Sequence, residues 1–136
     1  MNIFTSSWFT YRGPGRVGIS QGVPKSGVPA GFLEMKKLAP TWAMVRMKDR
    51  DLYRETYLRD VLGKFQPIDI HDQLMEMHGG KDVVLLCWER PPWTDSNWCH
   101  RRMLADWFEQ GLGLVVDEVG PGCQPRQIQP PQGSLI

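Results

Sequence analysis

No apolar run in this chain of 136 residues is long enough to cross a membrane; the longest, Val83–Trp88, falls far short of the ~20 residues a spanning helix needs. The opening Met1-Asn2-Ile3-Phe4 lacks a basic segment followed by an apolar one. No signal peptide is therefore read, and a cytoplasmic location is expected. Cysteine is scarce, with three residues, an odd number too small for a disulfide framework. In a reducing compartment those thiols are expected to be free or bound to metal. Excess charge is also missing. With 16 basic and 15 acidic residues the net charge is +1, which argues against a strong nucleic-acid footprint and leaves room only for a local patch. The motifs GxSxG, HExxH, GxGxxG and the calcium-binding EF-hand loop are absent. The stretch Gly22-Val23-Pro24-Lys25-Ser26-Gly27 departs from the GxxxxGK[ST] spacing, so no P-loop is present. There is no internal repeat.

What remains fits one ordinary globular domain with a single core, at 41% hydrophobic and 23% charged residues. Met1–Thr5 reads as a short strand, Ser6–Gly15 as turn-rich chain broken by Gly13-Pro14-Gly15, and Val17–Ser20 as a second short strand. A long loop follows over Gly22–Gly31, and a second, Leu38–Trp42, leads into a short helical segment near Ala43–Met47. Arg50–Phe65 has the clearest helical stripe, with Tyr53, Tyr57 and Val61 four residues apart. Pro67–Met77 reads as a further helix, with Pro67 in its first turn and Gly79-Gly80 ending it.

The most informative stretch is Val83 to Arg102, VVLLCWERPPWTDSNWCHRR. Lys81–Trp88 is a continuous apolar strand of the kind that parallel sheets bury on both faces. Trp98–Gln110 is the expected helix, capped by Asn97 or Ser96 and ended by Gly111, with Leu114–Val119 as the next strand. This strand–loop–helix–strand unit predicts a right-handed crossover in a parallel sheet. Domain boundaries follow: 1–119 as one α/β domain, and 120–136, with four prolines and no apolar period, as a flexible tail.

Ligands of open α/β sheets bind outside the carboxyl ends of the strands, and the Val83–Arg102 stretch places reactive side chains there. In the first turn of a helix, Cys99 is favoured as a thiolate and His100 as neutral imidazole. Arg101 adds a cationic fork suited to an anion. These features describe an anion or nucleotide pocket, with packing as the competing reading: Cys99 as a small apolar residue, and His100 as a core residue on the face of Leu104, Trp107 and Phe108. Glu89 is a candidate general acid or base, or else the ion-pair partner of Arg90 or Arg101. Trp88, Trp93 and Trp98 either stack a ligand or cover the sheet edge. Lys25 is in range of a phosphate, Ser6 and Ser7 are polar groups at the same edge, and Arg102 is expected on the solvent face with Asp106 or Glu109. A metal is not the first expectation; one would use Cys87, Cys99 and His100, with His71, His78 or Glu89 as fourth ligand. A Cys87–Cys99 disulfide is less favoured still, because strand end and helix start would have to meet within narrow geometric limits.

Taken in order, Thr5-Ser6, the Ile19-to-Lys25 loop, Leu38-Ala39-Pro40-Thr41-Trp42, the Tyr53/Tyr57 helix, the Val84-to-Glu89 strand and Cys99-His100-Arg101 resemble the domain-of-unknown-function 488 family, particularly its shorter branch. The resemblance covers roughly residues 1–119, and its most specific feature is LLCWE followed by CHR. It implies a compact three-layer Rossmann-like α/β domain with a mostly parallel sheet, and singles out Cys87, Glu89, Cys99, His100 and Arg101, with Pro24 in the early loop. It implies no reaction, since no activity is established for the family. Two departures stand out: Gln21 where many members carry arginine, and a longer loop containing Pro91-Pro92-Trp93. The function expected is that of a small enzyme acting on a nucleotide-like or nucleobase-containing ligand, with Cys99, His100 and Glu89 as catalytic candidates and Arg101, Cys87, Lys25, Ser6 and Trp42 as ligand-binding ones. The alternatives are a non-catalytic binding module for a nucleotide or modified base, and a Cys/His metal-binding accessory protein. No cofactor or oligomeric state is assigned.

Overall fold

The computed structural model describes residues 1–120; most of the segment expected as a tail, and with it Cys123, lies outside the described residues. At the centre is β4 (Val83–Cys87), whose five residues are all buried. A strand whose side chains all avoid water must be covered on both faces and paired on both edges, and β4 is. It runs parallel to β1 (Ile3–Ser7) on one side, in register from Ile3 opposite Val83 to Ser7 opposite Cys87, and to β2 (Arg16–Gly18) on the other. Two-residue strands complete the sheet, β3 (Leu33–Glu34) beside β2 and β5 (Asp117–Glu118) beside β1. All pairings are parallel, in the order β3-β2-β4-β1-β5.

Alternation along the strands sends side chains to two separate cores. Ile3, Val17, Val83 and Leu85 face the helices and pack with Tyr57, Leu62, Ile70, Leu74, Leu104 and Phe108. Val84 and Leu86 face the other way, where Trp8, Phe9, Tyr11, Val23, Val28 and Phe32 come from loop chain. The β1–β2 and β2–β3 connections run in one direction along the sheet, and the β3–β4 and β4–β5 connections in the other. Connections of one hand then lie on opposite faces, which accounts for a layer of loops on one side and of helices on the other. The expected three-layer α/β domain is thus the observed one.

The helices are α1 (Trp42–Val45), α2 (Arg50–Thr56), α3 (Pro67–Met77) and α4 (His100–Leu112). Asp49 caps α2, its carboxylate accepting from the backbone N–H groups of Asp51 and Leu52. The single helix expected over 50–65 is instead α2, a wider π-type turn over Tyr57–Val61 and a tight turn over Leu62–Lys64. The stripe holds through the change: Tyr53, Tyr57, Val61 and Leu62 are all buried. α4 ends at Gly113, whose φ of 67° is the left-handed conformation that glycine adopts without strain. Among the described residues no helix is long and apolar enough to cross a membrane.

Gly18 in β2 answers to Trp8. The Trp8 ring is buried, meets Phe32 edge-on and donates from Nε1 to Ser20 Oγ at 2.9 Å. A Cβ on residue 18 would lie 2.4 Å from Trp8 Cζ2. Gly18→Ala is therefore expected to destabilise the fold by roughly 1–3 kcal/mol through overpacking. Gly22→Ala, whose Cβ meets nothing within 4 Å, is expected to stay within about 0.5 kcal/mol of the parent. Urea unfolding of both variants checks this, and equal stabilities would contradict the packing described.

Candidate functional site

The strands β2 and β4 are neighbours whose following connections leave for opposite faces, a switch point of the kind where open α/β sheets form a crevice. A cavity of about 470 Å³ occupies it. Ser20, Gln21 and Gly22 enter from the end of β2, Cys87, Trp88 and Glu89 from the end of β4, and Asn97 to His100 from the approach to α4. Pro40, Trp42, Val45 and Met47 close it from the chain around α1, and Tyr53 from α2. Buried Cys87, Cys99 and His100 form the floor, Ser20, Pro40 and Tyr53 are buried in the walls, and Trp42, Trp88 and Glu89 are exposed at the rim.

α4 starts later than its sequence indicates. Asn97 does not cap it; its Nδ2 donates to the carbonyls of Arg90 and Pro92, both at 2.7 Å, and so shapes the loop after β4. The cap position falls to Cys99, which provides no side-chain hydrogen bond there, and His100 is the first helical residue. The loop is further held by an Arg50–Asp95 ion pair at 2.7 Å and by Trp98, which packs on Tyr53 with ring centres 4.5 Å apart. Trp88 donates from Nε1 to the Gly22 carbonyl at 2.9 Å, bridging the ends of β4 and β2.

The least favoured expectation is the one observed at the floor: Cys87 and Cys99 form a disulfide. Strand end and helix start do meet, because α4 packs its first turn directly over the carboxyl end of β4. His100 lies beside the bridge, with Nδ1 3.7 Å from Cys99 Sγ and Nε2 2.7 Å from the Ile19 carbonyl oxygen. A carbonyl only accepts, so Nε2 carries the proton and Nδ1 presents its lone pair to the sulfurs. The ring also meets Tyr57 edge-on at 5.4 Å. Burial is the main influence on this imidazole and lowers its pKa to about 4; the Ile19 hydrogen bond opposes that, and the Arg101 charge adds to it. Burial likewise raises the phenols of Tyr53 and Tyr57, with the Glu89 charge adding to the effect on Tyr53.

The remaining candidates are placed elsewhere. Arg101 has no solvent exposure and does not line the cavity. Its Nε and Nη2 grip the Glu118 carboxylate, Nη2 at 2.7 Å, and Nη1 donates to Cys87 Sγ at 3.0 Å. Arg102, expected on the solvent face, is instead half-buried and donates to Thr5 Oγ1 and the Val116 carbonyl. Ser6 is buried with its hydroxyl on the Val119 carbonyl, Ser7 donates to Thr10 Oγ1, and Lys25 is exposed away from the cavity lining. Glu89 makes no ion pair with Arg90 or Arg101, and Trp93 covers the Arg101 guanidinium at 4.8 Å. Gln21 donates to the Pro40 carbonyl and so ties two rim loops together. Cys87, Cys99 and His100 place one ligand atom each within 4.8 Å of one another; among the described residues neither His71, His78 nor Glu89 joins them. Sequence reasoning missed Tyr53 as a lining residue, since its four-residue spacing marks it only as core.

No protein-family model, curated protein or solved structure matches the chain.

A buried neutral histidine has a consequence in acid. The unfolded chain takes up a proton on His100 near pH 6.5, whereas the folded chain resists until about pH 4. Stability is therefore full above about pH 6.5 and is expected to fall by about 3 kcal/mol as the pH drops toward 4. His100→Gln removes this titration while leaving an amide to reach the Ile19 carbonyl. Urea unfolding of the disulfide-intact proteins at pH 7 and pH 4.5 should show the parent losing more stability than the variant, and equal losses would contradict a neutral His100.

Proposed function

We propose that this chain is a small enzyme acting on a nucleobase-containing ligand held in the cavity between the ends of β2 and β4. The observation that carries the reading is the character of that cavity. Its walls are Trp42, Trp88, Trp98 and Tyr53, its floor is Cys87, Cys99 and His100, and among the described residues its one charged lining residue is Glu89. A volume of about 470 Å³ lies within the range of small-molecule sites. Flat rings stacked on indole supply affinity without a counter-charge. With a carboxylate at the rim and no cation in the lining among the described residues, a base or nucleoside is favoured over a phosphate-bearing nucleotide.

Within this reading Trp42 and Trp88 are the stacking surfaces. Glu89 is the proton carrier, because its exposed carboxylate is not taken up in an ion pair among the described residues. Its position at the rim is where a bound ring would meet solvent. His100 orients the floor sulfurs rather than carrying protons itself, its Nε2 being committed to Ile19. The motif set around LLCWE and CHR is also why we propose kinship with the domain-of-unknown-function 488 family. A cytoplasmic location belongs to the same reading; thiols are kept reduced there, so the Cys87–Cys99 bridge would be one of two states of the floor.

The test is a thermal-shift panel of free bases, nucleosides and nucleotides, followed by product analysis with any stabilising compound. Bases or nucleosides should raise the melting temperature more than their phosphates do. Trp42 is 64% exposed, so Trp42→Ala should leave the fold intact while weakening binding by roughly 5- to 150-fold, the equivalent of ~1–3 kcal/mol of stacking. Glu89→Gln should retain the ligand and lose turnover. A ligand bound but never converted by the parent would make the protein a binding module, and a panel with no stabilising compound would remove the nucleobase reading.

A further inference from the structure

We propose that in its reduced state the floor of the cavity is a binding site for one divalent transition-metal ion of the zinc class, held by Cys87 Sγ, Cys99 Sγ and His100 Nδ1, with the fourth coordination position open to the cavity. The three ligand atoms already lie within 4.8 Å of one another and all three residues are buried. Two thiolates and an imidazole are a donor set zinc takes at catalytic sites, where a water or substrate completes the tetrahedron. Two thiolates also balance the charge of a divalent ion, so the buried site is neutral when filled.

The surroundings prepare these groups for a metal. A metal-binding histidine ordinarily donates its other ring N–H to a carbonyl or carboxylate, which fixes the tautomer. His100 does so, Nε2 to Ile19 at 2.7 Å, and this leaves Nδ1 as the atom 3.7 Å from Cys99 Sγ. Arg101 Nη1 donates to Cys87 Sγ at 3.0 Å, and such a donor holds a sulfur in its thiolate form. Because Glu118 neutralises that guanidinium, it polarises the sulfur without adding net charge to the floor. The cavity is the entry path, since all three residues line it.

The disulfide and the ion exclude each other, because the bridge uses both sulfurs. Reduction by an external thiol donates two electrons and two protons to the S–S bond and yields the two cysteines, while the donor thiols become a disulfide. The ion then displaces both thiol protons to solvent. The site stands on its own ligands and does not depend on the nucleobase reading.

The probe is cobalt(II) added to untagged full-length protein that has been reduced with a phosphine. One equivalent should bind, with thiolate-to-cobalt charge transfer in the near ultraviolet and tetrahedral d–d absorption in the visible, both abolished by zinc. Cys87 and Cys99 should become protected from a thiol reagent, as read by peptide mass. The unreduced protein should show no such bands. His100→Gln should weaken binding by at least about tenfold. Reduced protein without thiolate-to-cobalt bands, or with Cys87 and Cys99 still reactive, would overturn the site; so would bands unchanged in Cys99→Ser, which would place the ion on other thiols. A reduced chain that unfolds and recovers its circular dichroism with one equivalent of cobalt and the same bands would support it, and one that does not recover would count against it.

Discussion

A guanidinium removed from water has to find every partner inside the protein, and Arg101 organises this fold by finding them in three directions. Glu118 of β5 takes its inner edge, Cys87 of β4 takes Nη1, and the Trp93 ring lies over its plane. Glu118 also accepts from Thr5 Oγ1 of β1 at 2.6 Å, and Thr5 accepts from Arg102. Two successive residues of α4 thereby secure the three strands on that side of the sheet. Removing one member of such a buried pair leaves the other charge unmatched, at a cost of ~3–5 kcal/mol. The short β5, two residues long, makes few ladder bonds of its own. The placement of Cys99 and His100 over the end of β4 follows from this anchoring.

The second constraint is electrical. In the cavity lining and the core behind it, ionisable groups are held uncharged. His100 is neutral through burial, and Tyr53 and Tyr57 keep their protons for the same reason. Arg101 lies just behind the floor but is matched by Glu118. Low-polarity surroundings strengthen any hydrogen bond or charge introduced from outside, whereas the Glu89 carboxylate stands exposed at the rim.

Much of the architecture was legible in the sequence. The unbroken run from Val83 identified a strand covered on both faces, the four-residue spacing of Tyr53, Tyr57 and Val61 identified a helix face, and Pro67 and Gly79-Gly80 bounded α3. Of the five residues foreseen as a group, Cys87, Glu89, Cys99 and His100 line one cavity and Arg101 does not. What escaped depends on tertiary contacts. A spacing of twelve residues says nothing about whether two sulfurs meet. Arg101 reads as a ligand-binding cation until Glu118, seventeen residues on, claims it. Asn97 reads as a helix cap until the carbonyls of its own loop compete for its amide. β3 is too short for alternation to register, and the π-type turn leaves the apolar stripe unchanged.

Those short outer strands bear on how copies of the molecule treat one another. A sheet invites a foreign strand wherever its rim offers a long row of unpaired amides and carbonyls. Here the rims are Leu33–Glu34 and Asp117–Glu118, each only two residues and each ending in glutamate. A neighbouring chain would gain scarcely a rung of ladder from either. With a net charge of only +1 the protein has little long-range repulsion to keep it dispersed, and its truncated rims take over part of that task.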